Sequence, residues 1–157
     1  MKNSAKRMIA WMLAAALCLG VCAQALAEEQ EYLLPDERHY LRVPVEMEWQ
    51  QPYQDETSLK GIWLMPPDLE MLVFAYDAEG RTVQELAEAL VDAGKTAEVR
   101  EIAGQDFLVF QDLDEEDGAL CVGYSYVNDR MMVEISFFYA SQAAMDLTQV
   151  IMESFHQ

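Results

Sequence analysis

Alternation of apolar and polar residues is clearest at "YLRVPVEMEW", residues 40–49, where Leu41, Val43, Val45, Met47 and Trp49 share one side. Arg42, Pro44, Glu46 and Glu48 share the other. A sustained period of two predicts a half-buried strand, and Pro44, which has no amide to donate, places it at a sheet edge. The stretches "LKGIWLM" (59–65) and "LEMLVFAYD" (69–77) predict two more strands joined by Pro66-Pro67-Asp68, a turn whose entry proline fixes. The period then changes. In "RTVQELAEALVDAGK" (81–95), Val83, Leu86, Ala87, Leu90 and Val91 make a helical stripe. Thr82 and Glu85 have the spacing of a capping box, and Gly94 supplies the left-handed stop.

Four further strands follow: "AEVREIA", "FLVFQDL", "ALCVGYSYV" and "MMVEISFFYA". Gly104-Gln105-Asp106, the acidic run 112–118 and Asn128-Asp129-Arg130 separate them. Such short, turn-forming linkers predict an antiparallel meander. Ser141 then caps a last helix, "QAAMDLTQVIMESF", with Ala144, Leu147, Val150, Ile151 and Phe155 facing inward. Strand runs punctuated by helices define an α+β protein. The economical packing is a single, mostly antiparallel β-sheet with two helices packed on one face. Residues 28–37, polar and acidic, read as a flexible lead-in to one domain over 38–157.

The first 27 residues have the pattern of a bacterial secretory signal. Lys2, Lys6 and Arg7 precede an apolar run from Met8 to Ala23, and Ala25-Leu26-Ala27 offers small residues for cleavage. An uncleaved anchor fits less well, because the run falls short of the roughly 20 residues that span a bilayer. A lipid-anchor site wants a small residue before its cysteine, whereas Leu17 precedes Cys18 and Val21 precedes Cys22. The expectation is a secreted or extracytoplasmic protein, with no stable membrane insertion once the signal is removed.

Removal of that segment changes the charge. It takes three of the ten basic residues and none of the 28 acidic ones, leaving 130 residues with a net charge of −21. Such a surface repels nucleic acid and anionic lipid and attracts basic partners. Aromatic and aliphatic residues remain abundant enough for a packed core, which separates this chain from acidic disordered segments. Cys121 becomes the single thiol. It reads as a small strand hydrophobe, with chain-to-chain linkage as the alternative.

The acidic run "DLDEEDG", 112–118, raises the question of calcium. Counted from Asp112, the glycine falls one place late and position 12 is Gly123, which has no carboxylate. Asp117-Gly118 is instead suited to a hairpin tip. Zinc has little to bind in two histidines and one cysteine without close spacing. The methionines read as core filling, since the adjacent Met131 and Met132 point to opposite strand faces. Neither a cofactor motif nor a nucleophile motif stands out, and no cofactor is expected.

The quoted stretches "VPVEMEW", "TVQELAEALVDAG", "GQDFLVFQDLDEEDGALCVGYSYVNDRMMVEISF" and "SQAAMDLTQVIMESF" occur in an order that resembles the PsbP-like fold superfamily, named for a photosystem II extrinsic protein. The resemblance covers nearly all of the mature chain. It implies an antiparallel sheet with flanking helices. Function does not travel with a fold, and no metal-binding or photosystem-docking residue is carried over.

Two functional expectations follow. The first is a non-catalytic binding module that meets a protein or cell-envelope component, and not nucleic acid. In "ALCVGYSYV" the small residues Cys121, Gly123 and Ser125 suit a face beneath a helix, which would set Tyr124 and Tyr126 on the open face as binding residues. The alternative assignment makes both tyrosines core. The second expectation is a small hydrolase using paired carboxylates, with Asp106, Asp112, Asp129 and Glu134 as its candidates.

Overall fold

The computed structural model describes residues 28–52, 58–113 (the backbone alone at Leu113) and 120–157. The expected signal, 1–27, and the acidic hairpin tip, 114–119, lie outside them. The chain runs β1 (Glu29–Leu33), β2 (Tyr40–Pro44), β3 (Glu48–Gln50), β4 (Leu59–Met65), β5 (Leu69–Asp77), α1 (Val83–Asp92), β6 (Thr96–Ile102), β7 (Gln105–Leu113), β8 (Leu120–Asn128), β9 (Met131–Tyr139) and α2 (Gln142–Glu153). All pairings are antiparallel. The α+β class therefore holds, but the single sheet does not. A seven-stranded sheet has the order β3-β4-β5-β9-β8-β7-β6, and β1-β2 forms a second sheet of two strands.

Pro44 explains the division. The expected strand over 40–49 ends there, where the Met47 amide donates to the Pro44 carbonyl at 3.0 Å and turns the chain. Beyond the turn, β3 joins the large sheet through β4, with Trp49 opposite Trp63. Leu41, Val43 and Met47 are buried as expected, whereas Val45 and Trp49 are about half exposed. The expected lead-in is also part of the fold. Tyr32 pairs with Leu41 across β1 and β2, and its ring meets Trp63 edge-on at 5.3 Å. Leu34 is fully buried. Glu29 and Glu31 take the outward positions of β1, so acidity there reports a solvated face and not a flexible segment.

The two helices do not share a face. α2 lies with the β1-β2 hairpin over Phe107, Val109, Tyr126, Val133, Ile135 and Phe137. α1 sets Leu86 and Ala87 on Leu108, with Phe110, Val127 and Met132 around them. Neighbours along a strand point to opposite sides, so Phe107 and Leu108 belong to opposite faces. Both faces of β7 are apolar in "FLVF", and each calls for its own cover. The capping box at Thr82 and Glu85 is formed, and Gly94 has φ 80°. In α2, Thr148 takes an inward position, bonding the Ala144 carbonyl at 3.0 Å, and Val150 turns outward. Among the described residues no helix is long and apolar enough to cross a membrane.

A buried polar cluster ties the hairpin to the sheet. The side chains of Asp36 and His39 are 2% and 4% exposed. Asp36 Oδ2 accepts from His39 Nδ1 at 2.5 Å, from the Tyr126 hydroxyl at 2.9 Å and from Asn128 Nδ2 at 3.0 Å. The His39 ring stacks on Phe155 at 4.8 Å. Nearby, the Tyr40 amide donates to the His156 carbonyl at 2.8 Å and the His156 amide returns the bond at 3.1 Å. Burial alone would raise the Asp36 pKa, but the hydrogen bonds from His39, the Arg38 backbone, Asn128 and Tyr126 outweigh it and hold the carboxyl below its usual range. Such a group stabilises the fold above the ordinary carboxylate pKa, and that contribution is lost as pH falls through the lowered value. Asp36→Asn should cost about 1–3 kcal/mol in urea unfolding at neutral pH. The gap between variant and parent should narrow as pH falls into the acid limb. A gap of constant size across that range would assign the cost to packing alone.

Candidate functional site

The site is built on the alternation of β9. Val133, Ile135 and Phe137 point into the α2 side and are fully buried. Glu134, Ser136 and Phe138 point the other way, and antiparallel registers fix their neighbours. Glu134 lies between Phe74 and Ser125, Ser136 between Leu72 and Gly123, and Phe138 between Glu70 and Cys121. α1 covers only the end of this outer face around Leu108. Among the described residues no helix covers the rest, where Leu72, Phe74, Cys121 and Phe138 are half-buried, with Phe110 at the border of the α1 cluster.

These residues floor a depression of about 310 Å3, lined by Phe74, Phe110, Asp112, Cys121, Glu134, Ser136 and Phe138. A second depression, of about 470 Å3, adjoins it through Phe138 and is bounded by Leu64, Leu72, Glu70 and the Pro66-Pro67 turn. Gly123 shapes the floor. A Cβ there would lie 2.1 Å from Phe110 Cζ, so only glycine lets that ring lie against β8. Cys121 lies half-buried on the same face.

Glu134 is the carboxylate set within the aromatic part of this depression, with Asp112 at its rim. Burial raises its pKa, and the hydrogen bond it accepts from the Ser136 hydroxyl at 2.7 Å offsets only part of that rise. Arg38, Arg42, Arg81, Lys95, Arg100 and Arg130 are engaged with Asp129, Glu31, Glu79, Asp112, Glu98 and Asp77. Among the described residues no basic side chain pairs with Glu134. Burial also raises the Tyr76 pKa, to which the Glu134 charge adds and against which its bond with Ser58 works.

The tyrosines expected on the open face lie on the opposite, covered one. Tyr126 is fully buried, with its ring against Phe107 at 5.2 Å and Phe155 at 5.3 Å. Its hydroxyl is spent on Asp36. Burial raises its pKa, and the charge and hydrogen bond of Asp36 raise it further. Tyr124 meets Phe137 at 6.0 Å and reaches the margin of the core, in a cleft with Arg100, Gln149 and Glu153. The small residues of β8 face the other way, but at Gly123 they receive the Phe110 ring and not a helix.

The four carboxylates of the hydrolase expectation are dispersed. The registers set Asp112 and Glu134 two strands apart, about 10 Å, and about 14 Å along the sheet. Glycosidase carboxyls stand about 5–9.5 Å apart. Asp112 is held by Lys95 at 2.6 Å. Asp129 is exposed in the β8-β9 turn and bonded to Arg38 at 3.2 Å. Asp106 begins β7 beside Glu101, with Leu108, Val127 and Met132 clustered between it and Glu134. Among the described residues no three His, Cys, Asp or Glu side chains converge as a metal site.

No protein-family model matches the chain, and no curated protein matches it. Solved structures do. The solution structure of cyanobacterial PsbP (CyanoP) from Synechocystis sp. PCC 6803 superposes with a TM-score of 0.61 at 13% identity, over 83% of this chain and 93% of that one. A crystal structure from Bacteroides thetaiotaomicron VPI-5482 superposes with a TM-score of 0.57 at 12% identity, over 81% of this chain and 47% of that one. The fold is thus PsbP-like, as the element order implied.

Two stability measurements check these placements. Tyr126→Ser should cost about 3–5 kcal/mol, as for other large-to-small changes in a core, and a change within 0.5 kcal/mol would contradict its burial. Glu134→Gln should act in the opposite direction. The folded protein holds the Glu134 proton more tightly than the unfolded chain does. Ionisation therefore costs stability as pH rises from the ordinary carboxylate value through the raised one. At neutral pH the amide variant should melt higher, by up to about 1 kcal/mol of added stability, and the difference should vanish in acid.

Proposed function

We propose that the mature chain is a non-catalytic interaction domain acting outside the cytoplasm. It binds a protein or another cell-envelope component through the uncovered part of the outer sheet face. The observation that carries this reading is the apolar surface that α1 leaves open, formed by Leu72, Phe74, Cys121 and Phe138 and bordered by Phe110. Aromatic side chains on an open surface are the usual centre of a protein interface. Among the described residues the same face offers no carboxylate pair at glycosidase spacing, and the depression is a stretch of sheet surface between strands whose main-chain groups are spent on the ladder. Export rests on the signal pattern over residues 1–27.

Site-specific photo-cross-linking tests the surface. A benzophenone amino acid replacing Phe138 should give a discrete adduct in intact cells that make and export the protein. The same probe replacing Glu88, on the exposed side of α1, should not. Equal labelling at the two positions, or adducts from Glu88 alone, would place the interaction elsewhere.

A further inference from the structure

We infer that the occupant of this face is a basic polypeptide segment, one that sets aliphatic side chains on Phe74 and Phe138 and a lysine or arginine on Glu134. The inference rests on the uncovered face being the docking surface. It adds the chemistry of what docks there.

Charge complementarity carries it. Glu134 shares the depression with Phe74, Phe110, Cys121 and Phe138 and with the polar Asp112 and Ser136, and it accepts one side-chain hydrogen bond, from Ser136. A carboxylate in such surroundings costs free energy unless a cation joins it. Among the described residues no basic side chain pairs with Glu134. Beyond residues 1–27 the chain carries seven basic residues against 28 acidic ones, and six of the seven are engaged with other carboxylates, Lys95 with Asp112 at the rim of the same depression. Glu70, opposite Phe138 on β5, adds a further negative charge beside the apolar floor. The missing cation must come from outside, and the surrounding field draws cationic partners in.

The other occupants fit less well. A second copy would bring its own Glu134 and a charge of −21 against the first, and like charges across an interface are repelled. An anionic lipid surface is repelled by the same field, and it supplies no cation to the carboxylate. A basic peptide satisfies both the apolar floor and the half-buried charge. The raised pKa of Glu134 fits a group that awaits its partner.

The test is a double-mutant cycle between Glu134→Gln and the charge of a probe peptide. A fluorescent peptide alternating leucine with lysine is titrated against the mature protein at low and physiological salt. A matched peptide alternating leucine with glutamine gives the second arm. The lysine peptide should bind the parent more tightly. Glu134→Gln should weaken it about tenfold while leaving the glutamine peptide unchanged. Phe138→Ser should weaken both. If Glu134→Gln weakens both peptides equally, or neither, or if the lysine peptide does not bind the parent at millimolar concentration, the cationic occupant is wrong. If Phe138→Ser leaves lysine-peptide binding intact, the docking face itself is wrong, which separates the two failures. Self-association abolished by Phe138→Ser would replace the peptide with a second copy. Sedimentation with phosphatidylglycerol vesicles but not phosphatidylcholine vesicles would replace it with lipid.

Discussion

The molecule depends on the pairing of β5 with β9. Their register runs unbroken from Leu69 opposite Tyr139 to Asp77 opposite Met131. This ladder joins the N-terminal hairpin strands to the meander that follows α1, and without it the seven-stranded sheet falls into two pieces. β9 also pairs with β8 along its length, so all of its main-chain groups are taken up and its side chains are sorted into two sets. Val133, Ile135 and Phe137 build the core beneath α2. Glu134, Ser136 and Phe138 build the outer face. One strand therefore specifies the packed interior and the proposed docking surface at once, and a slip of one residue would exchange them.

Much of this order was legible in the chain. The strands of the meander, the β4-β5 hairpin and both helix caps follow from local chemistry: alternation, short turn-forming linkers, Thr82 with Glu85, and Ser141. These signals act over a few residues, and nothing at longer range overrides them. What could not be read locally was which face each element covers. "FLVF" at 107–110 and "SFF" at 136–138 have apolar residues on successive positions, the mark of strands with two faces to bury. The structure covers the two faces of β7 separately, α2 over Phe107 and α1 over Leu108. The tyrosines were misplaced for a related reason. Gly123 is small because the Phe110 ring lies against it, a demand set by the neighbouring strand and invisible in β8 itself.

The acidic N-terminal segment shows the same limit. Glu29, Glu31 and Asp36 look alike as composition, yet they serve different ends. The first two line the outward side of β1. Asp36 is enclosed with His39, Tyr126 and Asn128, where its charge is matched by converging donors. Glu134 has burial without such a set of donors. Asp36 thus carries a carboxylate that the fold stabilises, and Glu134 one that the fold burdens. Natural chains accept burdens of the second kind where a function uses them. The sequence shows 28 acidic residues, and only their three-dimensional neighbours tell these two apart.

The joining of β2 to the residues after α2 has a consequence for the order of events during synthesis. The Tyr40 amide and carbonyl bond to His156, and the Arg42 amide donates to the Ser154 hydroxyl at 2.8 Å. Strand β2 pairs with β1 as soon as both are made, but its bonds to Ser154 and His156 wait for the rest of the domain. Contacts between such distant positions must pay the entropy of closing a long loop before they gain anything. The N-terminal hairpin is thus fixed against the sheet only when Ser154 and His156 reach it, so that the two ends of the domain close together.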